Sequence, residues 1–212
     1  MDAREQTLDA ATRLFAAQGY GGTSLSAIAD AVGIRKASLL YHFPSKDALH
    51  RAVLDQILEH WSQVLPRLLE AAAGDDRFDA LLHEVVRFFV DDPDRARLVL
   101  REVLDRPDVM RARLAEAVAP WMAVIAGYIR KGQGTGEIRE DADPEAYLLH
   151  VIHLVISGIA TADTLGSVLG EGGDTQRLVR ELERMAKTSL FTETGLARAR
   201  ERRADKEDEA AE

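Results

Sequence analysis

Apolar side chains recur at helical spacing from the first ten residues to about Leu190, and no stretch alternates as a half-buried strand requires. This restricts the chain to an all-α fold. Leu8, Ala11, Leu14 and Phe15 line one face of a first helix, roughly Asp2 to Gln18, which stops at Gly19, a residue that accepts left-handed backbone geometry. Thr23 and Ser24 offer N-cap oxygens to a short second helix carrying Leu25, Ile28, Ala29 and Val32 and ending at Gly33. A third helix, Arg35 to His42, follows at once. Phe43-Pro44-Ser45-Lys46 then breaks the chain before a long fourth helix.

Two short helices joined by a tight turn containing glycine, with another packed behind them, form the pattern of a helix-turn-helix unit. Ile28, Ala29, Val32, Ile34, Leu39 and Phe43 supply an apolar set that all three helices can share. The opposite face of the third helix carries Lys36, Ala37, Leu40 and Tyr41, and a leucine and a tyrosine beside a lysine are costly to leave in water unless something docks there.

Length and composition narrow the rest. The 212 residues fit one large or two small domains, and 46% hydrophobic content is enough for a sizeable core. With no cysteine there is no disulfide, thiol nucleophile or thiolate zinc site, which favours a reducing compartment. The charged N-terminus reads as neither a signal nor a transit peptide, and the longest apolar run, around Val151 to Ala162, falls short of the ~20 residues a membrane span needs. A cytoplasmic protein without membrane contact is expected.

A net charge of -9 argues at first against a polyanionic partner. Its distribution reverses that. Residues 1–50 hold five basic and five acidic side chains, and between Ala31 and Lys46 there are three basic residues, no acidic one, and His42 as a further donor.

The run from Thr23 to Leu49, TSLSAIADAVGIRKASLLYHFPSKDAL, resembles the DNA-binding signature of the TetR family of bacterial repressors, and Ala10-Ala11, Leu14-Phe15 and Gly19-Tyr20 extend the match over about residues 4–52. The resemblance implies a three-helix DNA-binding domain at 1–46, an all-helical effector-binding and dimerisation domain at 47–192, and a homodimer on a palindromic operator. Residues 193–212, with almost no large apolar group, read as a charged, disordered or frayed tail.

A recognition helix turns its N-terminal part to base edges while flanking groups hold phosphates. Lys36 suits guanine O6 and N7, Ala37 and Leu40 suit thymine methyls, and Arg35 can reach a base or a phosphate. Ser24, Ser26, Ser38, Tyr41, His42 and Lys46 are the expected phosphate contacts. Many family members carry an aromatic residue in place of Leu40 and a serine in place of Arg35.

Beyond the fourth helix, Pro66 is expected to kink or end it, residues 71–76 to form a turn, and residues 131–136 a glycine-rich loop. A seventh helix carries Leu114, Val118, Trp121, Ile125 and Tyr128, and Pro120 inside it predicts a kink. The eighth, opened by Pro144, is apolar nearly all round and so needs two buried faces. The eighth and ninth helices of two chains are expected to pair as a four-helix interface.

No phosphate loop, dinucleotide fingerprint or nucleophile elbow occurs, so neither an enzyme nor a cofactor is expected. His150 and His153, with His83 elsewhere, would suit a metal, but histidines on apolar helices are more often core or pocket groups, and no metal is expected. Trp61, His83, Phe88, Trp121, Tyr128, Tyr147, His150 and His153 are the candidates for a mostly apolar pocket for an apolar or amphipathic effector. Arg101-Glu102 reads equally as an ion pair or as an orienting group. The rival reading is a DNA-binding regulator or adaptor without an effector.

Overall fold

A computed structural model describes residues 2–71, 74–170 and 175–201, and among these every named element is helical. Helix α1 (Ala3–Gly22) opens with a capping box, in which the Glu5 amide donates to the Asp2 carboxylate at 2.8 Å and the Asp2 amide to Glu5 at 3.0 Å. Gly19 interrupts it at φ 72°, so the expected stop is a break followed by one more turn. Thr23 does not cap the next helix. It is buried, and its hydroxyl donates back to the carbonyls of Leu14 (3.0 Å) and Gly19 (2.9 Å). Ser24 is the cap of α2 (Leu25–Val32), accepting from the Ala27 amide at 3.0 Å. Gly33, at φ 75°, makes the turn into α3 (Lys36–His42).

Phe15, Ile28, Leu39 and Phe43 interlock in the core of this unit, each burial contributing about 1.5–3 kcal/mol. The second domain comprises α4 (Lys46–Ala71), α5 (Gly74–Val90), α6 (Pro93–Asp105), α7 (Pro107–Ala117), α8 (Ala119–Gly134), α9 (Pro144–Ala160), α10 (Ala162–Gly166) with a short 3-10 turn (Ser167–Leu169), and α11 (Thr175–Leu190).

Several local expectations are corrected. Helix α4 runs through Pro66 to Ala71, so the proline does not end it; the buried Leu65 and Leu69 on either side hold the helix despite one lost hydrogen bond. Part of the expected turn at 71–76 lies outside the described residues, and α5 already begins at Gly74. Helix α8 persists into the expected glycine loop as far as Gly134: Ile138 folds back onto Gly132, where a Cβ would meet it at 2.6 Å. The expected seventh helix is two, α7 and α8, bent by 57° just before Pro120. No single described helix is long and apolar enough to cross a membrane.

The start of the expected tail is ordered. Residues 193–201 are helical, Ala199 is 4% exposed, and Leu196 packs on Ile129, Ile138, Leu190 and Phe191. Residues 202–212 lie outside the described residues. The reason for the order is a close approach that a charge count does not reveal: a Cβ on Gly195 would lie 2.2 Å from the Glu137 carbonyl oxygen. Gly195→Ala should therefore lower stability by about 1–3 kcal/mol, the usual cost of overpacking. It should also expose 193–201 to limited proteolysis; unchanged protection and melting temperature would contradict this packing.

Candidate nucleic-acid interface and effector cavity

Helix α3 is seven residues long and is held by one face only. Leu39 is fully buried and Phe43 nearly so, which rotates the other side outward. Arg35, Lys36, Ala37, Ser38, Leu40, Tyr41 and His42 are all exposed, and Tyr41 is 87% accessible with its ring edge-on to His42 at 5.4 Å. Ser24 and Ser26, at the start of α2, are exposed as well. Ser24 spends its oxygen lone pair on the helix cap, and its hydroxyl proton remains for a phosphate.

Lys46 differs from the others. It is half-buried at the first turn of α4, its ammonium 4.3 Å from the Tyr20 ring centre, while the Tyr20 hydroxyl donates to Asp47 at 2.7 Å. That hydrogen bond to a carboxylate raises the phenol's pKa. The helix start is capped by Ser45, which accepts from the Ala48 amide at 3.0 Å.

The reading head is fastened to the second domain chiefly through α1 on α6. Arg101 and Glu102, neighbours in sequence, do not pair with each other. The Arg101 guanidinium donates to the Ala16 carbonyl at 3.2 Å, closing the end of α1. Glu102 is fully buried and lies 2.9 Å from Nε2 of His50, which is buried too. Arg106 reaches Nδ1 of the same ring at 3.2 Å and stacks 4.2 Å from the Tyr20 ring centre. An arginine can only donate, so Nδ1 accepts and Nε2 carries the proton facing Glu102. The contact is bent, and neither Glu102 carboxylate oxygen has a well-aligned hydrogen bond among the described residues. Phe15 and Tyr20 meet the His50 ring edge-on at 4.9 and 5.0 Å. Sequence reasoning missed His50 because the periodicity of α4 gives no sign of what crosses above it.

Inside the second domain lies a cavity of about 410 Å³, walled mainly by α4, α5, α7, α8 and α9, with Val99 of α6 and Leu190 of α11 completing it. Of the eight pocket candidates, Trp61, Trp121, Tyr128 and Tyr147 line it. The other four lie elsewhere. Phe88 is buried on the far side of α5, stacked on His60 at 4.2 Å, beside a separate polar cleft of about 320 Å³. Burial there lowers the pKa of the His60 imidazole. His83 is exposed on α5, and His150 and His153 lie on the outer stripe of α9 with Leu149 and Leu154. The reason is angular: α9 turns Leu148, Val151, Ile152 and Ile156 to the cavity, which leaves the histidines facing out. Tyr147 donates to the Ala186 carbonyl at 2.5 Å, and burial pushes its phenol pKa upward. No cluster of metal-ligating side chains occurs among the described residues.

Comparison with known proteins agrees with this division. Residues 8–53 match the family model for bacterial regulatory proteins of the tetR family, and residues 99–169 match that for a tetracyclin repressor-like C-terminal domain. The chain belongs to the TetR family. Among TetR-type relatives, the transcriptional regulator RutR of Escherichia coli K12 is 35% identical over 137 residues, 61% of this chain and 63% of RutR. The alignment thus spans less than two thirds of that relative's length. A transcriptional repressor of Mycobacterium tuberculosis is 28% identical over 188 residues, 85% of this chain and 89% of its own. A transcriptional regulator of Saccharomonospora viridis, solved in complex with choline, shares the fold with a TM-score of 0.66 at 23% identity, over 90% of this chain and 98% of that one.

Proposed function

We propose that this chain is a homodimeric, cytoplasmic transcriptional repressor that binds a palindromic operator through α3 and is released by a small molecule held in the second domain. The observation that carries the reading is the orientation of α3: Leu39 is buried and Lys36, Ala37, Leu40 and Tyr41 lie together on the free face. Such a face suits the major groove, with Lys36 at base edges and Tyr41, His42 and the two serines of α2 at phosphates. The family relationship supports a regulator over an enzyme. The cavity favours effector control over constitutive binding, since a filled core would leave no room for a ligand. An effector must bind better to the arrangement in which the two recognition helices are wrongly spaced for the groove. Helices α4 and α6 are the natural levers, because both touch the reading head and both also wall the cavity.

An unpartnered face supports the dimer. Leu149 and Leu154 on α9 are 59% and 49% exposed, and Leu165, Val168 and Met185 continue that apolar surface on α10, the 3-10 turn and α11. A second copy across a two-fold axis would cover it. Leu149→Glu with Leu154→Glu should give a monomer in analytical ultracentrifugation and weaken operator binding more than about tenfold. A double variant that sediments as a dimer would place the interface elsewhere.

The deciding experiment is a gel shift on the promoter region flanking the gene itself, across a salt series. Binding should be specific and fall as salt rises, with contacts repeated about 34–36 Å apart along the duplex. Tight binding indifferent to sequence at physiological salt would contradict the reading, because the head carries only a short basic face.

A further inference from the structure

The cavity has a chemical polarity that its overall apolar lining conceals. Toward α4, α6 and α7 its walls are Leu54, Ile57, Val99 and Met110; at the other end stand Arg77, near the start of α5, and Lys131 and Thr135, at the end of α8. The Arg77 guanidinium carbon lies 4.0 Å from the centre of the Tyr128 ring, and Lys131, three residues beyond Tyr128, shares that face of α8. The Nε of Arg77 is buried without a hydrogen-bond partner among the described residues.

That arginine is half-buried, and its Nε is shut off from solvent. Arg87, Arg97, Arg113 and Arg139 each meet a carboxylate, whereas Arg77 is in no ion pair among the described residues. A guanidinium stays protonated at any physiological pH, and an unpaired buried N–H is costly. The stacked tyrosine satisfies its face but not its donors. Lys131 likewise is in no ion pair among the described residues. Glu137, the carboxylate on this wall, lies 3.5 Å from Arg198, which takes up part of its charge. Among the described residues the polar end therefore has two cations against one acid already engaged, enough to balance one further negative charge.

We propose that the cavity takes an elongated apolar molecule bearing a single carboxylate, with the carboxylate on Arg77 beside Lys131 and the chain running toward α4 and α7. This rests on the reading of the cavity as the effector site. From Arg77 to Phe89, both on its wall, α5 advances about 18 Å at 1.5 Å per residue, which suits an extended chain rather than a compact ring. A planar carboxylate matches the forked guanidinium, and a dianionic phosphate would face Glu137 with excess charge.

The test uses the full-length protein and its own reporters, because both tryptophans of the chain, Trp61 and Trp121, line the cavity. Their emission is titrated with dodecanoate, dodecan-1-ol and dodecyltrimethylammonium below their micelle concentrations. Dodecanoate should bind at least about tenfold more tightly than either other probe, as one charge-assisted bidentate contact implies. Arg77→Gln should remove most of that preference without lowering the melting temperature, since the arginine has no described carboxylate partner to lose; Lys131→Gln should reduce it less. Equal affinity for acid and alcohol, unchanged acid binding in Arg77→Gln, or no emission change with any probe would each overturn the assignment. Operator binding measured on the same samples separates the two readings. Carboxylate-selective binding without operator release would refute effector control while leaving this site intact.

Discussion

Replacing Lys36 and Tyr41 together with alanine will abolish operator binding and leave the fold unchanged. Both side chains are exposed on α3, and neither carries a hydrogen bond or ion pair to the rest of the described protein. Surface substitutions of this kind stay within about 0.5 kcal/mol of neutral, so the melting temperature should move by no more than about 2 °C. The binding cost is much larger. A lysine on a guanine edge contributes about 1–3 kcal/mol of discrimination and a phosphate contact about 1 kcal/mol, and a dimer loses each twice. The sum is at least about 4 kcal/mol, a loss of roughly a thousandfold. Fluorescence anisotropy with a labelled operator duplex measures it, and equal affinities for wild type and double variant would remove α3 as the reading element.

The second large effect is expected at Glu102. Glu102→Ala leaves His50 and Arg106 facing a cavity at the joint between α1, α4 and α6, where the wild type sets a carboxylate 2.9 Å from the imidazole. Removing the acceptor from a buried imidazole N–H costs about 1–3 kcal/mol, because the remaining polar group keeps its desolvation penalty and loses its partner. Urea unfolding followed by circular dichroism should show that loss in the midpoint. Glu102→Gln, which keeps the size and an acceptor oxygen, should recover most of it. A change below about 1 kcal/mol in the alanine variant would mean that the His50 contact does not hold the two domains together.

These sites differ in how far the sequence discloses them. The α3 face follows from local rules. Leu39 and Phe43, four apart, set which side is buried, and Gly33 sets the turn, so the exposed positions follow from residue spacing alone. Lys46 is legible in the sequence as a cation near the head but not as one stacked on Tyr20. In the second domain periodicity identifies the helices and the Pro120 break, and of its eight pocket candidates Trp61, Trp121, Tyr128 and Tyr147 line the cavity. It does not separate the cavity side of α9 from its outer side, because both are apolar, and for that reason His150 and His153 read as inward when they face out. Arg77 carries no sequence signal of its own, since nothing in a helical pattern distinguishes an arginine paired with a carboxylate from one that is not.

The sequence by itself determined the all-helical class, the reading head, and the allocation of charge that makes the head neutral while the rest is acidic. Each depends on residues within a few turns of one another. Only the tertiary structure decided that residues 193–201 pack as a helix, that His50 and Glu102 meet across 52 positions in the sequence, and that an arginine without an ion pair among the described residues stands at one end of an apolar cavity. Those facts depend on which helix faces cross, and helix crossings are set by the shape of many side chains packed together, which no local spacing encodes.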